Sequence, residues 1–202
     1  ADKEFTRLSS SKDSNIEMFH HISPNEISWG KAVGIIDASP EDCLAWSYSF
    51  CSNERVDEHI EKDGHVFRYE YDIPNSHSKV ISAIKTLPTG IKNRVFNNWI
   101  CWAKIPNYNG HEATVCAFGT REEVDQSLLP PLPSFQNEAG TVRGTLRGVQ
   151  IFEKVAPQIT RMTYVVQVDM GGKISKFIMK ALVKTSLKIV ERASYRFKRS
   201  GK

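Results

Sequence analysis

Long hydrophobic runs are missing from this chain. Its longest apolar stretches are about five residues, such as 32–36 with its glycine, where a bilayer span needs about 20. That excludes a membrane-spanning helix. The first residues, Ala1-Asp2-Lys3-Glu4, contain neither Met nor a signal core, and read as the start of an excised or processed chain. Cysteine is sparse: Cys43, Cys51, Cys101 and Cys116, with no C-x-x-C pair. On one helix Cys43 and Cys51 would lie ~12 Å apart, too far for a disulfide. Cys101 and Cys116 could face each other across a hairpin, but read better as buried thiols. This usage predicts a reducing compartment, the cytosol.

Enzyme signatures are absent as well. There is no H-E-x-x-H, no G-x-S-x-G and no G-x-x-x-x-G-K-[ST]. His20, His21, His59, His65, His77 and His111 lack metal-ligand spacing, and most fall in expected loops. We therefore expect no catalytic side chain, no metal and no cofactor. No repeat and no low-complexity tract longer than Ser9-Ser10-Ser11 is visible.

What remains is a globular composition, 40% hydrophobic and 25% charged. A chain of 202 residues buries enough surface to fold without disulfide or metal staples. Charge is unevenly placed. Residues 173–202 carry ten Lys or Arg against one acid, Glu191, while the preceding 172 hold 17 basic and 22 acidic groups. A mildly acidic body with a basic end points to an anionic surface as partner. The basic residues lack interleaved aromatics and no nucleic-acid motif is present, so a membrane is the better reading.

Along the chain, a short helix is expected around 16–20 and a strand over 31–37, with Val33 and Ile35 on one face. Ser39-Pro40-Glu41-Asp42 is a helix start, with a Ser cap, Pro in the first turn and acids at the positive end. A second, acidic helix opens at Asn53-Glu54-Arg55 and ends near Asp63-Gly64. The period then changes to two. Phe67, Tyr69, Tyr71 and Ile73 alternate with Arg68, Glu70 and Asp72, a half-buried strand with one wet face. Pro74-Asn75-Ser76 turns it. Strands follow over 79–86, 94–105 and 113–120, the last pair joined at Asn109-Gly110 by a type I′ turn. Residues 124–140, with Pro130, Pro131 and Pro133, form a long loop. Strands over 141–153 and 158–170 lead to a helix.

On that helix Ile178, Leu182, Ile189, Ala193 and Phe197 fall within an arc of roughly 100°. Lys180, Lys184, Lys188 and Arg192 form a second arc about 150° away. Like charges stacked at i+4 repel, which favours a role over simple solvation. Gly140, Gly144 and Gly148 lie on one strand face, either relieving sheet curvature or letting the helix or an acyl chain approach. Strands followed by one long helix describe an α+β domain: a curved antiparallel sheet wrapped around the C-terminal helix.

Three stretches carry a likeness. They are Asp37-Ala38-Ser39-Pro40-Glu41-Asp42; Leu87-Pro88 with Asn93-Arg94-Val95-Phe96; and Thr141-Val142-Arg143-Gly144 through Thr163–Asp169 to Gly171-Gly172-Lys173-Ile174-Ser175-Lys176-Phe177. In this order they resemble a START domain, the lipid-transfer module named after the steroidogenic acute regulatory protein, over nearly the whole chain. The resemblance implies a helix-grip fold over 27–197, with 1–26 as an extension and 198–202 as a basic tail. It implies one lipid held between sheet and helix, in a monomer of the cytoplasm that meets membranes transiently. Ser175 stands where the family usually has Pro. In the register set by Arg94, sterol-carrying members have an acidic and a basic residue where this chain has Ile81 and Ile100, which favours a phospholipid-like ligand over a sterol.

Cavity candidates are then Tyr69 and Tyr71, with Ile81 on the next strand. The following strand supplies Arg94, Phe96, Asn98, Ile100 and Trp102. Leu146 joins Met162, Tyr164 and Val166 from the last two strands, and Ile178 and Leu182 come from the helix. Arg94 is expected to hold a lipid phosphate, and Tyr69, Tyr71, Trp99, Trp102 and Tyr164 could cage a choline. Lys180, Lys184, Lys188 and Arg192 face the membrane, with Gly171-Gly172 as hinge. Two other readings stay open: a regulatory, ligand-sensing or interaction module cut from a larger protein, and an enzyme on the same fold.

Overall fold

The computed structural model describes residues 5–8, 15–23, 27–63, 65–72, 77–125, 127, 129 and 140–198. Strands β1 (Thr6–Leu8), β2 (Glu17–Ile22) and β3 (Ser28–Ile36) come first, then helices α1 (Pro40–Tyr48) and α2 (Asn53–Asp63). Strands β4 (His65–Asp72), β5 (Ser78–Lys85), β6 (Arg94–Tyr108) and β7 (His111–Thr120) follow. A short 3-10 turn (Arg121–Glu123) precedes β8 (Val142–Arg143), β9 (Thr145–Ala156), β10 (Ile159–Asp169) and α3 (Lys176–Arg196). The sheet has ten strands in the order β1-β2-β3-β10-β9-β7-β6-β5-β4, with β8 joined to β6. All pairings are antiparallel except that of the two-residue β8. This is the α+β helix-grip architecture.

Local chemistry explains most boundaries. Ser39 Oγ accepts from Asp42 N at 3.1 Å and donates to its carboxylate at 2.7 Å, fixing the start of α1. Ser175 caps α3 in the same way, accepting from Ile178 N at 3.3 Å, so it replaces proline with a hydrogen bond. Asn109 and Gly110 have φ of 53° and 87°, the two left-handed residues that a type I′ hairpin requires. Strand β10 alternates as its sequence does, with Thr160, Met162, Tyr164, Val166 and Val168 inward.

The N-terminal region differs from expectation. Residues 17–22 form a strand, not a helix, because Met18 pairs across to Ala32 and packs with Leu8 and Ile16 in the main core. The extension thus adds two strands to the sheet. Residues 141–153 are interrupted at Gly144, which separates β8 from β9. Ile73, the turn at 74–76 and the three prolines of the long loop lie outside the described residues.

Strand β3 decides where the helix goes. Its inward residues are small, Ser28, Gly30, Ala32 and Gly34, followed by Ile36. Val33 and Ile35 do share a face, but it is the outer one, and Ile35 is 45% exposed. A Cβ on Gly30 would collide with Val183 and Leu187 of α3, and one on Gly34 with Ile16. The helix therefore lies against bare backbone. Met179, Val183, Leu187 and Val190 are its sheet-facing residues, rotated by roughly 100° from the arc that lies over the other half of the sheet. Gly30→Val should cost about 1–3 kcal/mol through overpacking and lower Tm, measured by thermal unfolding. Lys31→Val, on the exposed face of the same strand, should leave stability within about 0.5 kcal/mol.

Candidate lipid-binding cavity

Because α3 sits over β3 and β10, the far half of the sheet needs another cover. Helices α1 and α2 supply part of it, and a cavity of about 160 Å³ remains between them, α3 and the sheet. Cross-strand register builds its floor. Ala83 of β5 stands opposite both Arg68 of β4 and Phe96 of β6, and Ile100 stands opposite Phe118 of β7. Ile81, Phe96, Ile100, Phe118 and Leu146 form the apolar floor, with Tyr164, Val168 and Met170 beside them. The roof is Leu182, Thr185, Ser186 and Ile189 of α3.

The aromatic floor depends on glycine elsewhere. A Cβ on Gly144 would meet the Phe96 ring, and one on Gly148 would meet the Phe118 ring. Those two glycines make room for neighbouring side chains, while Gly30 makes room for the helix and Gly34 chiefly for Ile16. Gly140 lies outside the strand, in a turn with φ of 126°. Asn98 is buried and donates to Gly119 O at 2.7 Å and Leu146 O at 2.5 Å, tying β6 to strands β7 and β9. Burial keeps the Tyr164 phenol neutral far above its ordinary range.

Of the expected residues, Ile81, Phe96, Asn98, Ile100, Leu146, Tyr164 and Leu182 line the cavity. Met162, Val166 and Ile178 instead pack in the core around the helix. Tyr69 and Tyr71 are on the opposite face of the sheet, because they pair with Ser82 and Val80 rather than flanking Ile81 and Ala83. Their rings meet edge-to-face at 4.5 Å, and Tyr69 is 43% exposed. Trp102 packs beside His77 at 4.2 Å and does not reach the cavity. The expected choline cage is therefore not assembled.

Arg94 also has a different task. Its Nε donates to Met170 O, its Nη1 to Lys92 O, and its Nη2 to Gly171 O at 3.1 Å. It is 4% exposed and clamps the corner where β10 passes into α3. Gly171 and Gly172 do adopt left-handed φ of 62° and 72°, but Gly171 is held from both sides, by Arg94 and by Asp169 Oδ1 at 2.8 Å. The expected hinge is a fastened corner. Arg192 points inward rather than to a membrane: it lines the cavity, and its Nε lies 3.5 Å from Glu58 of α2, with both side chains mostly buried. Lys180 and Lys188 are exposed, and Lys184 is half-buried.

Sequence reasoning missed the polar end of this cavity. Arg55 and His59 of α2, Arg68 of β4 and Lys85 of β5 all line it. The i, i+4 spacing of Arg55 and His59 on one helix face was the available signal. The alternation in β4 predicts its aromatic face inward, and the structure instead turns Arg68, opposite Ala83, to the cavity. All four cysteines are free, and burial pushes the Cys43 and Cys116 thiols up to about 12, which keeps them inert. Among the described residues no His, Cys, Asp and Glu cluster could hold a metal, and no helix is long and apolar enough to cross a membrane.

The fold is that of START-like lipid-transfer domains. The human StarD13 lipid transfer and protein localization domain superimposes with a TM-score of 0.68 at 14% identity, covering 98% of this chain and 91% of that one. A STAR-related lipid transfer protein fragment from Xanthomonas axonopodis gives 0.69 at 11% identity, covering 98% and 100%. Human StAR-related lipid transfer protein 5 gives 0.63 at 14%, covering 96% and 87%. No family model and no curated protein matches the sequence.

Replacing Arg94 tests its clamp. Arg94→Ala strands the carbonyls of Met170 and Gly171 and should cost about 1–3 kcal/mol in denaturant unfolding. The affinity of the folded fraction for any cavity ligand should stay unchanged.

Proposed function

We infer that this chain binds one lipid in the cavity between its sheet and α3, for transfer or sensing, without chemistry on it. The observation that carries the reading is the apolar floor and roof enclosing free space in a fold shared with lipid-transfer domains. Apolar lining that meets water in the empty pocket costs stability. A ligand that fills the space offsets this cost and should raise Tm. Ile81 and Ile100 both line the cavity as aliphatic side chains. They offer a sterol hydroxyl no ion-paired partner, which supports a phospholipid-like ligand. Ala83→Phe, in the middle of the floor, should abolish lipid loading from vesicles, read by native mass spectrometry, with only a modest change in Tm. Unchanged loading would place the ligand elsewhere.

Transient docking of a cytoplasmic monomer on an anionic membrane is the second half of the proposal. Phe177, at the start of α3, is 82% exposed, and Lys173, Lys176 and Lys180 beside it are exposed too. An apolar ring among cations suits an anionic interface, where each Lys adds about 1 kcal/mol. Reversing Lys180, Lys184 and Lys188 to Glu should weaken binding to anionic vesicles and slow transfer, with stability nearly unchanged. Flotation assays should show the difference fading as salt rises, because exposed charges are screened beyond ~8 Å at physiological ionic strength. Equal binding of the triple variant at low salt would remove this half of the proposal.

A further inference from the structure

The three helices that cover the sheet are anchored very unequally. Helix α3 buries Met179, Val183, Leu187 and Val190, and Arg94 fastens the corner from which it starts. Helix α1 puts Cys43, Leu44 and Trp46 into the hydrophobic core. None of the described side chains of α2 belongs to that core. Its buried residues are Arg55 and His59, which line the cavity, while its Ile60 is 50% exposed.

Polar contacts hold α2 in place instead. Arg196 Nε lies 2.8 Å from Glu54 and Arg192 Nε 3.5 Å from Glu58, which ties α2 to α3. The Arg55 guanidinium lies 4.2 Å over the Trp46 ring of α1. From the sheet, Arg68 Nη1 donates to Phe50 O at 2.8 Å and to Arg55 O at 3.4 Å. Contacts of this kind exchange with water at small net cost, whereas exposing a buried apolar face does not. Lifting α2 also returns Arg55, 2% exposed where it stands, to water, which offsets part of the loss. A segment held in this way opens locally before the rest of the fold.

Its position gives that opening a use. Helix α2 packs on β4, the end strand of the sheet, and the neighbouring β5 carries Ile81 and Ala83 of the cavity floor. Moving α2 uncovers this floor from the edge of the sheet and leaves the contact of α3 with Gly30 undisturbed. Resting on the reading that the cavity holds a lipid, we propose that α2 is its gate. The helix swings away from α3 to admit and release the ligand, and the pairs Arg196–Glu54 and Arg192–Glu58 are the latch. Helix α3 stays seated throughout.

Hydrogen exchange followed by mass spectrometry tests the moving part without any ligand. Amides of α2 should exchange at least about a hundredfold faster than those of residues 183–190 in α3. Arg196→Glu sets like charges together at the exposed pair and should speed α2 exchange by about threefold to tenfold, with 183–190 unchanged. Glu58→Gln should act in the same direction at the other pair. Glu54→Arg combined with Arg196→Glu restores opposite charges and should restore the slower exchange, which a merely weakened helix end would not do. If α2 is as protected as α3, or α3 speeds up with it, the gate is overturned whether or not lipid binds. Failure of the double variant to recover overturns the latch.

The route is tested with isotope-labelled phosphatidylcholine passing between neutral vesicles, whose surface does not favour either charge. Neither Arg196 nor Glu54 lines the cavity, so Arg196→Glu should raise uptake and release by the same factor and leave equilibrium loading unchanged. Unchanged rates in a variant whose α2 opens faster overturn the entry route and leave lipid binding intact. Uptake by neither protein overturns lipid binding and the entry route together.

Discussion

Everything in this molecule follows from how closely α3 approaches β3. Gly30 leaves no side chain between the helix and the strand, and Val183 and Leu187 fill the space that a Cβ would need, while at Gly34 that space is taken by Ile16 with Val190 beside it. Close contact at one side of a wide sheet has a geometric cost at the other. One helix cannot cover ten strands, so β4 to β7 are covered by α1, α2 and the far flank of α3, and the cover is incomplete. The cavity is thus what remains when a broad sheet grips a single helix off-centre.

The helix answers with two buried faces rather than one. Met179, Val183, Leu187 and Val190 meet the sheet, while Leu182, Ser186 and Ile189 roof the cavity. Thr185 and Ser186 return their hydroxyls to the carbonyls of Ala181 and Leu182 at 3.0 and 3.1 Å, so polar atoms on the roof are satisfied within the helix. The roof is quiet chemically, and polarity is concentrated where α2 and β4 close the end.

Much of the fold was legible because local signals agreed with one another. The Ser39 cap, the Asn109-Gly110 turn and the alternation in β10 each specify a conformation through a few neighbouring residues. Strand β2 escaped because its six residues gain their order from β3, a partner that periodicity does not reveal. The cavity floor was legible from strand parity, since Ile81, Phe96, Ile100 and Leu146 share the inner face. Its charged end was not. On β4 the aromatic residues face outward and Arg68 inward, against the usual rule that the wet face is the polar one. Parity gives two faces but no label, and the label came from pairing with Ala83. Arg94 shows the same limit from another side: being interior was readable, while the backbone carbonyls it serves, 76 and 77 residues away, were not.

That clamp has a mechanical meaning. Arg94 makes the beginning of α3 a fulcrum, and the 21-residue helix extends from it as a rigid arm of about 31 Å. A tilt of about 10° at the fulcrum would carry the last turn about 5 Å sideways. It is there, far out on the arm, that Arg192 and Arg196 hold Glu58 and Glu54 of α2 at 3.5 and 2.8 Å. Placed at that distance from the clamp, one mostly buried pair and one exposed pair resist a tilt of α3 with more leverage than the same pairs near Gly171 would have.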